Sequence, residues 1–358
     1  MKSTKQHPQT QQAQSKDLAN DTPWEWLWSI VLALALTAAI ELGLNFSLQL
    51  DLPGWGSVLL YLGCYFLVSQ WLTRKHPPVD IAPHPASQWP VSGPVAKVGA
   101  WGMYFIFLPT LLLSAFNPWL LWGQLRQLVG QAEISKRLKQ RSKPMTEYQM
   151  KARYRLPFDG EWLIYNGGLS PQTSHSWHVL TQRYAYDFVK ADANFRRHLG
   201  KGNQLSDYYC YDQPILAAAA GKVVSVKDNI GNAPAVGYGV ADFMCRHIAG
   251  NHIIIEHAEN EYGFYAHLAP GSIVVKPGDT VEAGQHIGNC GHSGHSSEPH
   301  LHFHVQDSKD FYTAMGLPVR FSNVRRDGDL EPGAAEIARG QRVSHQRDIP
   351  NSRWQEEI

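Results

Sequence analysis

Cysteine is scarce in this sequence, with 4 residues in 358. No two of them form a Cys-x-x-Cys pair, which argues against a structural zinc site of the finger type. Cys64 lies in an apolar run, whereas Cys210, Cys245 and Cys290 lie in the polar part of the chain. Two of these three could pair in an oxidising compartment, but the spacing does not indicate which two, and buried free thiols are an equal alternative.

An excess of charge of one sign is also missing. The chain has 32 Lys and Arg against 31 Asp and Glu, a net charge of +1. This balance gives no sign of a nucleic-acid-binding surface, so we expect no nucleic-acid partner. Long apolar runs are present, but they are confined to the first third of the sequence. The pattern is typical of a membrane anchor followed by a soluble domain.

Three apolar stretches are long enough to cross a bilayer, for which about 20 residues are needed. They run from Trp24 to Phe46, from Trp55 to Leu72 and from Val98 to Trp122. We therefore predict a polar tail over residues 1–22 and an anchor of three transmembrane helices over residues 23–123. A cleaved signal peptide fits poorly, because the polar lead is long and no small-residue cleavage site follows the first stretch.

The distribution of basic residues predicts how these spans are oriented. The first loop, Gln49–Gly54, has no Lys or Arg and is therefore predicted to be external. The N-terminal tail and the second loop carry basic residues, so both should be cytoplasmic, and three spans then deliver the C-terminal part outside. Residues 124–155 form a basic segment, predicted to be an amphipathic linker helix. A pure charge count over that segment would invert the topology.

Residues 156–310 change to short apolar runs separated by Gly, Pro, Asn and Asp, a pattern that favours a β-rich domain. The predicted strands are Glu161–Tyr165, Tyr184–Val189, Lys222–Lys227, His252–His257, Gly263–Leu268 and Leu301–Gln306. The fourth and fifth are joined by a short polar link and should form an antiparallel hairpin. The long segment Asp228–Gly250 could form a loop over a site, and residues 311–358 are predicted to be a polar tail.

Histidines are concentrated in one part of this domain: 9 of the 17 fall between His252 and His304. His300, His302 and His304 alternate along a predicted strand, and the strand period of two places them on one face. Zinc prefers imidazole and carboxylate ligands, and catalytic zinc sites keep one position open for water. The pattern therefore predicts a zinc site at this strand.

Several blocks, in order, resemble the lysostaphin-like zinc metallopeptidases that act as peptidoglycan endopeptidases. The similar blocks are Pro214–Val224, Gly250–His257, Tyr265–Leu268, Val275–Gly288 and the His-x-His block Pro299–Phe303. The similarity covers about Glu161 to Asp307. It implies a mainly-β domain with an antiparallel sheet, the lysostaphin-like or duplicated hybrid motif fold. This domain would follow the three-helix transmembrane anchor in the sequence. The chain is thus identified as a membrane-anchored member of this family.

The resemblance also implies roles for individual residues. His302, the second histidine of the His-x-His block, would be a zinc ligand, and Asp187 would be the carboxylate ligand. His300 and His267 would be the catalytic histidines that orient the water and stabilise the tetrahedral intermediate. His304 either hydrogen-bonds a ligand or is a packed strand residue.

The first histidine ligand is where this sequence departs from the family pattern His-x-x-x-Asp. The residue four before Asp187 is Arg183, a permanent cation that cannot bind zinc. His178 and His175 lie further upstream, and we favour His178 as the ligand, with His175 as the alternative. Either choice requires a bend in the chain, and a metal-free site with two ligands is a third possibility.

The function implied by the resemblance is zinc-dependent hydrolysis of peptide bonds in peptidoglycan stem peptides or cross-bridges. The catalytic domain would face the periplasmic or external side of a bacterial inner membrane. One alternative is an inactive relative that binds and activates another cell-wall hydrolase. Another is a membrane-tethered module that binds or senses metal. The bond cleaved is not indicated by the sequence.

Overall fold

A computed structural model describes residues 25–75, 89–98, 110, 113–114 and 116–346. The chain divides into two units, residues 1–82 and residues 83–358. The first unit contains the predicted membrane helices, and the second contains the histidine-rich domain.

The first unit contains two helices that pack against each other, α1 (Glu25–Leu48) and α2 (Gly54–Lys75). By length and composition, Ser29–Leu48 and Gly54–Leu72 are apolar enough to cross a membrane. Their outer surfaces expose large apolar side chains such as Phe46 and Trp55. Two of the three predicted spans therefore correspond to helices. Most of the third, 98–122, lies outside the described residues, so the three-helix anchor is not established.

The second unit contains one long helix and fifteen strands in its described residues. The helix is α3 (Pro118–Lys139). The strands are β1 (Glu161–Asn166), β2 (Tyr186–Val189), β3 (Pro214–Leu216), β4 (Gly221–Lys227), β5 (Asn251–Ala258), β6 (Glu261–Leu268), β7 (Thr280–Val281), β8 (His286–Asn289), β9 (Leu301–Gln306), β10 (Gly316–Leu317), β11 (Phe321–Ser322), β12 (Val324–Arg326), β13 (Asp329–Leu330), β14 (Ala334–Ala335) and β15 (Arg342–His345).

Eleven of these strands form one antiparallel sheet, in the order β13-β12-β15-β1-β2-β9-β6-β5-β4-β7, with β10 added beside β9. The other strands form two small sheets, β11 with β14 and β3 with β8. All six predicted strands are present within a few residues of their predicted ends. The predicted hairpin is also confirmed, since β5 pairs antiparallel with β6.

The central strand β9 is buried along its whole length. Leu301, Phe303 and Val305 alternate with His302 and His304, so the two sets face opposite sides of the sheet. The ring of Phe303 packs against Tyr265 and Phe321 in the aromatic core. The apolar face of β9 therefore holds the strand in the core, while the polar face is available for a site.

Helix α3 begins at a capped N-terminus, where the Asn117 side chain accepts hydrogen bonds from Trp119 N and Leu120 N. The amide of Asn117 also donates to Phe243 O and Cys245 O. Along the helix, Gly130 lies against the backbone of Tyr312. The segment predicted as a basic linker is thus a helix docked on the domain, and it starts inside the predicted third span.

Within residues 311–346, the C-terminal segment is part of the folded domain and not a tail. It contributes β12, β13 and β15 to the main sheet, and β15 pairs with β1 in the register Trp162↔Val343. Val324, Ile337 and Val343 are buried. The prediction of a loop-like tail was wrong for this part because its strands are only two to four residues long, too short to show an alternating pattern.

Candidate active site

The pairing of β2 with β9 brings two of the predicted zinc ligands, Asp187 and His302, together. Asp187 on β2 is paired directly with His302 on β9. The Nδ1 atom of His302 lies 3.0 Å from Asp187 Oδ1, and both side chains are buried. The second oxygen of Asp187 accepts a hydrogen bond from Asn166 Nδ2 at 3.0 Å. The carboxylate is thereby held in one orientation at the centre of the site.

The third partner of Asp187 is His175, whose Nδ1 atom lies 3.4 Å from Asp187 Oδ2. Residues 170–185 form successive turns instead of a straight strand. Hydrogen bonds from Ser174 Oγ to Arg183 O and from Ser176 Oγ to Gln182 O close these turns. These turns bring His175 next to Asp187, which is twelve positions later in the sequence.

The described structure therefore favours His175 over His178 as the partner of Asp187, the reverse of the preference drawn from the sequence. The His178 side chain is exposed, and its carbonyl accepts a hydrogen bond from Gln131 on α3. Within the described part of the chain, His178 makes no ion pair with a carboxylate. The guanidinium of Arg183 is also held away, because it stacks over the Trp177 ring and its Nε donates to Trp177 O.

The environment sets the protonation states of these groups. Burial alone would raise the pKa of Asp187, but the charge of His175, followed by that of His300, holds it well below its usual value. Burial lowers the pKa of His302. At neutral pH the carboxylate is thus ionised and His302 is neutral, which are the states that metal binding requires.

A chain of hydrogen bonds fixes which nitrogen of His302 carries the proton. The amide of Gln306 donates to Ser308 O at 2.8 Å, so Gln306 Oε1 is the acceptor for His304 Nε2 at 2.7 Å. Burial lowers the pKa of His304 to about 3, so this ring is neutral. Its Nδ1 therefore accepts from His302 Nε2, 3.1 Å away.

The other nitrogen of His302 then carries a lone pair directed at an ionised carboxylate oxygen 3.0 Å away. Two lone pairs at this distance repel each other unless a cation, either a proton or a metal ion, lies between them. Among the described residues, no three His, Cys, Asp or Glu side chains are already arranged around a metal position. The chemistry of the donor set nevertheless fits zinc, since His175, Asp187 and His302 offer two imidazoles and one carboxylate.

Two further histidines lie beside this group with their rings 4.7 Å apart, His267 and His300. Each Nδ1 faces a backbone carbonyl, Ser293 O at 2.8 Å for His267 and Glu298 O at 2.7 Å for His300. Each Nδ1 must therefore carry a proton, and in the neutral ring of His267 this leaves Nε2 with a free lone pair. Burial, with the charges of His300 and His302, holds the pKa of His267 well below its usual value.

The backbone at His267 is strained, with φ at 60°, a region that few residues other than glycine adopt. Its amide donates to Ala249 O at 3.0 Å, at the end of strand β6. Strain of this kind persists where the surrounding structure imposes it, and it concentrates at functional sites. In this backbone conformation the His267 ring packs against the rings of His300 and His302.

Two adjoining cavities open onto the site. One, of about 320 Å³, and the other, of about 500 Å³, share Asn166, Asp187 and His300 as lining residues. Gly239 and Ser297 also line both. Gly239 lies in the segment Asp228–Gly250, so this segment lines both cavities. A groove thus passes the site on both sides, a shape suited to an extended chain.

A family model, described as Peptidase family M23, matches residues 203–313. The chain carries an M23 domain. The match spans the strands β3 to β9 and includes His267, His300 and His302. The matched residues contribute β4, β5, β6, β7 and β9 to the main sheet, while His175 and strand β2, which carries Asp187, precede them.

Curated relatives match short parts of the chain. A peptidoglycan DD-endopeptidase, ShyA from Vibrio cholerae, is 40% identical over 57 residues, which cover 16% of this chain and 13% of that protein. An uncharacterized metalloprotease from Buchnera aphidicola is 35% identical over 79 residues, which cover 22% of this chain and 20% of that protein. The chain thus matches no more than a fifth of the length of these relatives.

The chain is also similar to parts of solved peptidase structures. A zinc-containing peptidase from Vibrio cholerae is 24% identical with a TM-score of 0.29, covering 47% of this chain and 40% of that one. The catalytic domain of lysostaphin from Staphylococcus simulans is 23% identical with a TM-score of 0.26, covering 44% of this chain and 88% of that one.

Four of the five predicted site residues, all except His178, form one cluster: Asp187, His267, His300 and His302. Sequence reasoning missed Asn166, which orients the carboxylate, and Gln306, which ends the histidine chain. Asn166 is unrecognisable in the sequence because it reaches Asp187 only through the pairing of β1 with β2. Gln306 carried a signal, since it continues the alternation of His302 and His304 along one face of β9.

Proposed function

We propose that this chain is a zinc-dependent endopeptidase that hydrolyses peptide bonds in peptidoglycan stem peptides or cross-bridges. The observation that carries the proposal is the lone pair of His302 Nδ1 directed at the ionised Asp187, with His175 on the opposite oxygen. The M23 domain and the name of the Vibrio relative, a peptidoglycan DD-endopeptidase, support the same reaction and substrate.

His175, Asp187 and His302 would hold the metal. When bound, zinc would activate a water molecule and polarise the carbonyl of the bond to be cleaved. The free Nε2 atom of His300, 3.7 Å from Asp187 Oδ1, is placed to accept a proton at the centre of the site. His267 is buried and held neutral, and its Nδ1 proton is used by Ser293 O, so its Nε2 would accept a hydrogen bond from the attacking water and orient it.

The chain's own residues also account for substrate binding. The groove beside His300 extends through both cavities, so a peptide could lie across the site with residues on either side of the cleaved bond. The loop Asp228–Gly250 covers part of this groove through Gly239 and Ala241. Covering the site limits the access of bulk water, which strengthens the electrostatic interactions there.

Digestion of purified peptidoglycan by the full chain in detergent tests the proposal. We expect zinc-loaded protein to release muropeptides with newly cut peptides, and a chelator to abolish this activity until zinc is restored. His302→Ala should be inactive under all conditions. Binding of zinc without any cleavage of peptidoglycan would contradict the proposal.

A second candidate is an inactive relative that binds and activates another cell-wall hydrolase. The observation that favours it is Arg183, which stands where the family pattern has a histidine and contacts Trp177 instead. If this candidate is right, cells that carry His302→Ala should behave like cells with the unaltered chain, because no metal chemistry would be needed. If the zinc-dependent proposal is right, cells that carry His302→Ala should have the same phenotype as cells in which the gene is deleted.

We further propose that α1 and α2 embed the chain in the bacterial inner membrane, with the M23 domain on its external side. The exposed apolar surfaces of both helices support membrane insertion. The external side follows from the proposed substrate, which lies outside the inner membrane.

A further inference from the structure

Two polar groups that line the cavity of about 320 Å³ beside His300 lack a hydrogen-bond partner among the described residues. They are the Nε atom of Arg339 and the hydroxyl of Ser92, a residue only 7% exposed. A buried polar group without a partner costs about 1–3 kcal/mol. Because such groups are rare in folded proteins, two residues that carry them at one cavity single out this cavity as a candidate ligand site.

The backbone that carries Arg339 is held rigidly. Its amide donates to Gly167 O at 2.8 Å, and the next amide, of Gly340, donates to Ile164 O at 2.9 Å. On the other side, Ile337 O accepts a hydrogen bond from Tyr186, whose ring is fully buried. A side chain positioned in this way can bind a ligand with little loss of conformational freedom.

The charge of Arg339 is not neutralised by the protein. No carboxylate lies within ion-pair distance of it among the described residues. The other arginine at this cavity, Arg197, is already paired, since its Nε lies 2.7 Å from Glu298 Oε1 and its guanidinium lies over the Tyr165 ring. Arg339 is therefore the cation available to an anionic ligand. Guanidinium groups match the geometry of carboxylates, which can accept two parallel hydrogen bonds.

We propose that Arg339, together with Ser92, binds a free carboxylate of the peptide substrate in the cavity beside His300. The chain would then prefer peptides with an unamidated carboxylate close to the cleaved bond. This inference rests on the proposed function, because it assumes a peptide in the groove. Arg339 lies beyond the matched residues 203–313, so the preference would belong to the C-terminal segment of this chain and not to the M23 domain as such.

The carboxylate could come from the C-terminus of a stem peptide or from an acidic side chain, and the test separates these sources. The probes are a synthetic D,L-peptide with one acidic side chain and a free C-terminus, its two mono-amides and its di-amide. Their affinities for the full chain in detergent are measured in a His267→Ala background, so that binding is read without turnover. The variants are Arg339→Ala and Arg339→Lys, with Arg325→Ala as the matched control, because Arg325 is exposed and contacts Gln346 away from the cavity.

We expect the di-acid to bind at least about tenfold more tightly than the di-amide, the difference that a charged hydrogen bond makes. Arg339→Ala should remove this difference, Arg339→Lys should keep part of it, and Arg325→Ala should keep all of it. The mono-amide that loses affinity shows which carboxylate, the C-terminal one or the side-chain one, Arg339 binds. Equal affinity for all four peptides, a preference that survives in Arg339→Ala, or failure to bind any of them would overturn the proposal. Hydrolysis by the protein with His267 intact is measured separately, so a failure of the enzyme proposal is seen independently of carboxylate binding.

Discussion

At the scale of single residues, Asp187 is the group on which the site converges. Its Oδ1 atom lies near His302 and His300, and its Oδ2 atom lies near His175 and Asn166. Because the two oxygens belong to one rigid group, moving either of them would break the contacts that the other one makes. A carboxylate fixed in this way presents two lone-pair directions to its surroundings, which is what a metal ligand requires.

The first prediction separates the two upstream histidines. We expect His175→Ala to weaken zinc binding more than about 100-fold, the upper range for loss of an outer-shell partner. His178→Ala should bind zinc as the unaltered chain does, because the exposed His178 side chain makes no ion pair with a carboxylate in the described structure. Competition with a zinc chelator measures both affinities. A loss of zinc in His178→Ala with normal binding in His175→Ala would reverse the assignment.

A second prediction concerns His267, which lies in the site without contacting Asp187. His267→Ala should retain zinc but lose about 10²- to 10⁴-fold in turnover, the usual contribution of a general acid or base. Its Nδ1 is satisfied by Ser293 O, so the substitution removes a catalytic Nε2 and not a metal ligand. Zinc content and peptide hydrolysis are measured on the same preparation, and a variant that loses its zinc would argue for a metal-ligand role instead.

The residues of the site differ in how far the sequence alone could predict them. His302 and Asp187 were implied by the resemblance to the family, and they lie on neighbouring strands of the sheet. His175 was not, because its distance from Asp187 depends on turns at 170–185 that carry no periodic pattern. Side-chain partners such as Asn166 depend on the register between strands, which a single sequence does not specify.

At the scale of elements, helix α3 and the sheet are fitted together through small residues. Gly130 lies so close to Tyr312 that an added Cβ would collide with its carbonyl oxygen, and Gly123 lies against the Tyr312 ring. An ion pair between Arg126 and Asp310 joins the same two parts. Helix α3 therefore belongs to the fold of the M23-containing unit and does not act as a spacer between the membrane and that unit.

This close fit predicts a stability effect. Gly130→Ala should lower the free energy of unfolding by about 1–3 kcal/mol, the usual cost of overpacking, even though alanine favours helix. Gly231→Ala is the control, since no atom lies within 4 Å of the added Cβ there. Thermal unfolding of both variants in detergent measures the difference. Equal stability of the two would show that α3 does not dock as described.

The sequence was informative about elements with strong periodicity and uninformative about short ones. Strands β5, β6 and β9 were predictable because their six to eight residues include β-branched and aromatic side chains. The strands beyond β9 escaped prediction because each has only two to four residues and shows no alternating pattern. The helical pattern of α3 was recognised, but its partner could not be, since packing partners depend on the tertiary fold.

At the scale of the whole molecule, the number of membrane spans determines which side the M23 domain faces. Two spans return the chain to the side on which it began, whereas three place the N-terminal tail and the domain on opposite sides. The third predicted span is bounded by residues that belong to the second unit. Val95 N donates to Gly237 O just before it, and Asn117, within its last turns, donates to Phe243 O.

We predict that the M23 domain faces outwards, whichever span count holds. A cysteine introduced at the exposed position Lys201 should react with a membrane-impermeant maleimide in cells whose outer membrane alone has been permeabilised. The native Cys210 and Cys290 are fully buried and should not react, which provides an internal control. Labelling only after lysis of the inner membrane would place the domain in the cytoplasm and remove its proposed substrate.

The central claim is that His175, Asp187 and His302 bind zinc. X-ray absorption at the zinc edge of the purified full chain tests it most directly, because it counts the ligands. The account predicts one zinc per chain with nitrogen and oxygen ligands at about 2.0–2.2 Å. Two of these ligands should be imidazoles, and His175→Ala should reduce the imidazole count to one. A chain that retains no zinc, or one whose imidazole count is unchanged by His175→Ala, would contradict the account.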